Sequence, residues 1–216
     1  MLKMLAALLG VSTLIVSVSV LFAGGGLLWA DAALTDVDGF VNTVPMTVEV
    51  DGFALVAGPA DIELPSLGAL DTGEIATVRI QVESTEQDPG IFLGVGDAAD
   101  VETYLAGVPY AVLESVESDA LDLTYRTEVS GALPGPPADE TFWTASVSGS
   151  NQQVLTWELE TGSHSFVVMQ EDASEGMSFD AVVGVRVPAL QPIGFGILVG
   201  GIVMFVTGAV VLAVSL

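Results

Sequence analysis

The chain of 216 residues has no cysteine and a single histidine, His164. Without cysteine there is no disulfide framework, no thiolate nucleophile and no cysteine-ligated metal. A zinc site needs several nitrogen or sulfur ligands, which one imidazole cannot supply. Positive charge is nearly as scarce: Lys3, Arg79, Arg126 and Arg186 are the only basic side chains. Phosphate backbones are held by basic stripes, so four scattered cations argue against nucleic acid as a partner. There is no Walker sequence, dinucleotide fingerprint or nucleophile elbow, and Gly24-Gly25-Gly26 stands inside an apolar run instead of after a strand. Missing disulfides do not fix the redox compartment, because a central domain of about 160 residues can bury a sufficient core without them.

What is present is sharply segregated. No charged residue occurs from Met4 to Ala30 or from Pro192 to Leu216, and all 28 acidic residues fall between Asp31 and Asp180. The first run exceeds the roughly 20 residues a helix needs to cross a bilayer and the roughly 7–15 of a signal-peptide apolar region. Ala30-Asp31-Ala32 has the small-x-small form of a cleavage site, but the length favours an uncleaved signal anchor. Lys3 is the only positive charge beside either run, so the positive-inside rule places both termini in the cytoplasm. The expectation is a cell-membrane protein with two spans: an N-terminal transmembrane helix over 1–30, an acidic extracellular domain over 31–189 and a C-terminal transmembrane helix over 190–216.

Glycines pattern the second run. Gly194, Gly201 and Gly208 recur every seventh residue, and Gly196 and Gly200 form a GxxxG pair. In the first run Ala6 and Gly10 stand four apart, and Gly24-Gly25-Gly26 follows. Small residues let helix backbones approach closely in lipid, which makes these five α-helical glycines of the second run candidates for packing. The partner helix belongs to the same chain, to another membrane protein or to a second copy. The competing reading is that glycine is simply common in membrane helices.

The middle alternates. Ala76, Val78, Ile80 and Val82 oppose Thr77, Arg79, Gln81 and Glu83; Leu155, Trp157 and Leu159 oppose Thr156 and Glu158. Asp122–Val129 and Phe179–Val187 repeat the pattern, and Met46–Val50, Phe53–Val56, Ile91–Val95, Tyr110–Glu114, Phe142–Val147 and Ser165–Met169 are further strand candidates. Period two with β-branched residues means half-buried strands, and about eight to ten of them predict a mainly β domain, an antiparallel, jelly-roll-like β-sandwich. Asp51-Gly52 has the chemistry of a tight hairpin turn, and Gly131–Pro137 that of an irregular loop. One short helix is expected from Asp97 to Leu105, capped by Asp97, seated by Ala98, Val101 and Leu105, and stopped by Gly107 and Pro109.

The formal charge of −24 suits brine. At about 1 M salt the Debye length is only ~3 Å and neighbouring carboxylates barely repel, whereas at low salt they oppose the compact state. Calcium is the other use for carboxylates, with Glu171, Asp172 and Glu175, and Asp97, Asp100 and Glu102, as the densest groups. Neither has EF-hand spacing, and solvated surface charge explains both. His164 follows Ser163, and triads assemble from distant residues, but a lone histidine beside a turn reads better as structural. Trp143, Trp157, Tyr104, Tyr110 and Tyr125 would furnish a sugar-binding face; the two tryptophans lie in phase with apolar neighbours, as core residues do. No catalytic, metal or cofactor residue is assigned.

Several stretches resemble a family of two-transmembrane-helix membrane proteins of haloarchaea and actinobacteria. They are Gly24–Asp31, Asp36–Phe40, Phe92–Gly96 leading into Asp100–Val108, Pro137–Trp143 and Phe166–Met169. The resemblance spans most of the chain and implies an external β-sandwich between two anchors, without supplying catalytic residues. The function expected from all this is a non-enzymatic interaction or structural module of the cell envelope, halophilic in character. The alternatives are a carbohydrate- or calcium-binding sandwich and, further off, a membrane-bound hydrolase.

Overall fold

A computed structural model describes residues 2–63, 76–85, 90–117, 120–126, 133–188 and 190–215. Among the described residues there are three α-helices: α1 (Leu2–Leu34), α2 (Ala98–Tyr104) and α3 (Leu190–Ser215). The chain forms two compact units. One joins the ends, Met1–Val41 with Arg186–Leu216; the other is Asn42–Val185.

In the first unit, the stretches Leu8–Leu34 and Pro192–Ser215 are long and apolar enough to cross a membrane. At ~1.5 Å per residue each exceeds the ~30 Å hydrocarbon core. Helix α1 runs past Ala30 to Leu34, since a charged side chain at Asp31 does not stop a helix. It ends where Asp36 turns its carboxylate onto the backbone: Oδ1 accepts from the N–H groups of Asp38 and Phe40, both at 2.9 Å.

The second unit is built from strands β1 (Val41–Asn42), β2 (Met46–Val50), β3 (Ala54–Ile62), β4 (Thr77–Ser84), β5 (Ile91–Asp97), β6 (Tyr110–Glu117), β7 (Ala120–Arg126), β8 (Trp143–Gly149), β9 (Gln153–Glu158), β10 (Gly162–Gln170) and β11 (Met177–Arg186). The smaller sheet runs β1-β11-β4-β9, with β2 also on β11; the larger runs β7-β6-β3-β10-β5-β8. Strand β2 pairs with Met177–Ala181, while Thr43 N–H donates to the Val183 carbonyl at 2.8 Å, so the chain follows one edge of β11 on both sides of Pro45. Proline has no N–H to give a ladder, which interrupts the strand there. The sheets are antiparallel, but β3 pairs parallel with β6. The chain between those two strands is long enough for the crossover that parallel pairing requires.

Val48, Val50, Leu55, Val82, Leu93, Val95, Leu155, Trp157, Val168 and Phe179 fill the space between the sheets. A second cluster, of Ala54, Val56, Val101, Leu105, Val167 and Met169, lies on the other face of the larger sheet, under α2. Strand β5 is therefore covered on both faces, and Ile91 to Gly96 are all buried. That explains why Ile91–Gly96 reads as a continuous apolar and glycine run, not as an alternation. Gly94 and Gly96 make room on the outer face: a Cβ there would stand 2.8 Å and 3.3 Å from the Trp143 ring.

Asp51-Gly52 is not a hairpin turn. Strands β2 and β3 belong to different sheets, and the bend carries the chain between them. Tertiary bonds fix it in place of a ladder, with Phe53 N–H on the Pro109 carbonyl at 2.9 Å and Gly176 N–H on the Gly52 carbonyl at 3.1 Å. Helix α2 forms where expected, with Asp97 accepting from Ala99 N–H at 2.9 Å and Leu105 as its C-cap. Of the expected loop, Gly131 and Ala132 lie outside the described residues, as do Thr127–Val129 of the expected strand; Pro137–Asp139 form a short 3-10 turn.

Candidate functional site

The first candidate is the seam between α1 and α3. Gly10, Ser17 and Gly24 recur at seven-residue spacing on α1, and Gly194, Gly201, Gly208 and Ser215 on α3; all seven are buried. A Cβ on Gly10 would meet Leu212 N at 3.0 Å, one on Gly24 would meet Leu198 N at 2.6 Å, one on Gly201 would meet Leu21 at 3.0 Å and one on Gly208 would meet Leu14 at 3.2 Å. The pairs keep one register while the helices run antiparallel. Gly194 faces Leu27 and Leu28. The two serines satisfy their hydroxyls on their own helix, Ser17 on the Leu14 carbonyl and Ser215 on the Leu212 carbonyl, each at 2.8 Å, so no polar atom is stranded in the seam.

Gly196 and Gly200 are not in this seam: both are exposed, with nothing within 4 Å of an added Cβ. Of the Gly24-Gly25-Gly26 run only Gly24 makes a close approach. Ser17 and Ser215 were not singled out from sequence, although the seven-residue spacing leads to both. Large apolar side chains cover the outside of the pair: Leu8, Ile15, Phe22 and Trp29 on α1 are 67%, 64%, 78% and 71% exposed.

His164 is buried between the sheets. Its ring meets Trp157 edge-on, centroids 4.9 Å apart, and neither ring nitrogen has a hydrogen-bond partner. No serine–histidine–carboxylate relay passes through it among the described residues. The two carboxylate groups do not converge either: among the described residues no cluster of three or more such ligands forms. Asp97 caps α2, Asp172 Oδ1 accepts from Ser174 N–H at 3.0 Å, and Glu171 accepts from Ser148 Oγ at 3.3 Å.

The aromatic residues divide. Trp157 is core. Trp143 packs with Phe142, Phe92 and Tyr104 at centroid distances of 4.3, 5.1 and 6.1 Å, and its indole N–H donates to the Pro137 carbonyl at 2.8 Å. Tyr104 donates its hydroxyl to the Gly135 carbonyl at 2.6 Å, and burial, followed by the charge of Glu140, pushes its pKa up to about 12. Tyr110 instead lines an open cleft on the outer face of the larger sheet. The ladder sets it directly opposite Arg126, with Val112 opposite Thr124, and Glu102 and Leu105 of α2 form the facing wall.

The arginines differ in their surroundings. Arg79 donates to Asn42 Oδ1 at 3.0 Å, and Arg186 lies over the Phe40 ring at 5.0 Å. Arg126 is exposed in the cleft, and no carboxylate pairs with it among the described residues.

Fold and seam together define a β-sandwich domain inserted between two paired apolar helices. No protein-family model matches the sequence, and no curated protein matches it. Among solved structures there is similarity to a chain of the disulfide-linked pili of Bacillus endospore appendages, at 7% identity over 68% of this chain and 88% of that one, with a TM-score of 0.29. So low a score carries no inference about fold or role.

Proposed function

We propose that the chain is a membrane-anchored, non-enzymatic interaction or structural module of the cell envelope, with both termini cytoplasmic and the acidic β domain outside. The observation that carries this is the inverted character of the helix pair. Small residues lie inside and large apolar ones outside, an arrangement that water penalises and lipid accepts. The domain between them carries all the carboxylates except Asp31, Asp36 and Asp38, which suits a salty exterior. Gly196 and Gly200 remain uncovered on the outer face of α3.

The absence of cysteine makes the test clean. Single cysteines at Glu160 and Glu175, both exposed on the domain, should react in intact cells with a membrane-impermeant maleimide. A cysteine added after Leu216 should react only after lysis. Labelling of the terminal cysteine in intact cells, or protection of the domain positions until lysis, overturns the topology. A monomer without partners after cross-linking in mild detergent overturns the interaction role.

A further inference from the structure

The outer face of the larger sheet changes character along its width. Over β3 and β10 it is apolar beneath α2, through Val56, Val167 and Met169, and opens toward Gly58, Pro59 and Ser163. Over β6 and β7 the same face continues as Tyr110, Thr124 and Arg126. Helix α2 is only seven residues long and ends before it can cover them. Two cavities result, of 410 and 600 Å³, sharing Glu102, Leu105, Tyr110 and Arg126. Both fall within the ~300–1,000 Å³ typical of small-ligand sites. Glu114 stands in the larger one and Ser165, which is only 3% exposed, in the smaller.

We propose that this cleft binds a short neutral oligosaccharide. The chemistry of the walls selects that class. Arg126 is a donor held apart from the acceptors Glu102 and Glu114, so hydrogen-bonding groups of both kinds face the cavity unspent. An anionic ligand meets two carboxylates there and the negative field of the whole domain. A cationic ligand meets Arg126. A wholly apolar ligand strips water from three charges without replacing a hydrogen bond. A polyol supplies donors for the glutamates and acceptors for the guanidinium, and its C–H faces pack on the half-buried Tyr110. This reading stands apart from the membrane topology and from any partner of the helices.

The test uses the full chain in lipid nanodiscs in high salt. Saturation-transfer NMR is recorded with maltotriose, cellotriose and tri-N-acetylchitotriose, and with trigalacturonate as the anionic counterpart. Transfer is expected to at least one neutral trisaccharide. Arg126→Ala and Glu102→Gln should each weaken it by about tenfold or more, the scale of losing one charge-assisted hydrogen bond, with near-UV circular dichroism unchanged. Transfer to none of the neutral sugars overturns the proposal. So does transfer to trigalacturonate alone, or neutral-sugar binding indifferent to both substitutions. If either variant misfolds, Arg126→Lys and Glu102→Asp take its place, and the same loss is required.

Discussion

Tyr104 shows what one polar atom does among aromatic rings. Its hydroxyl bonds the Gly135 carbonyl and its ring packs on Phe142 and Trp143. The folded chain holds the phenolic proton more tightly than the unfolded chain, with a pKa near 12 against the ordinary 10.0. The stability tied to that proton is therefore complete below pH 10.0 and is lost as pH rises through about 12. A spectrophotometric titration should show one tyrosine ionising last, and Tyr104→Phe should abolish that late step at a cost of ~1 kcal/mol in urea unfolding. At this scale the sequence was readable where the chemistry is local. Asp97 as a cap and Gly107 as a stop, at φ 78°, depend on neighbours within about one turn. Tyr110 opposite Arg126 was not readable, because that pairing depends on the register of two strands and the end of a helix.

Among elements, the helix seam makes the sharpest distinction. Gly24→Leu forces a side chain against the backbone at Leu198, and Gly201→Leu forces one against Leu21; each should lower the thermal stability of the helix pair in bicelles, by about 1–3 kcal/mol, the usual cost of overpacking. Gly196→Leu and Gly200→Leu meet nothing in this chain and should change it by less than ~0.5 kcal/mol. Equal effects from all four would mean that the seam is drawn on the wrong face. The strands were legible for a related reason: Gln153–Glu158 alternates buried and exposed without exception, and alternation is a property of each strand alone. Which strands pair is not. Asp51-Gly52 carries ideal hairpin chemistry, yet bonds to Pro109 and Gly176 turn it into a passage between sheets. Ile91–Gly96 hid its period because both faces are covered.

For the whole molecule the governing quantity is charge density. A chain with 28 acidic residues and only four basic ones repels itself wherever counterions are dilute. Its melting midpoint should rise with potassium chloride from about 0.1 to 2 M, by the order of 10 °C if screening recovers ~3 kcal/mol; a midpoint that does not move removes the halophilic reading. The ends of the domain add a mechanical consequence. Thr43 and Val183 are joined by two hydrogen bonds, Thr43 N–H to the Val183 carbonyl at 2.8 Å and Val183 N–H to Thr43 Oγ1 at 3.1 Å. Adjacent strands lie ~4.8 Å apart, so tension applied at those two points would pull the first and last strands apart like the teeth of a zipper. The bonds would break singly and not as a block, and the domain would begin to yield at low force, from this edge inward.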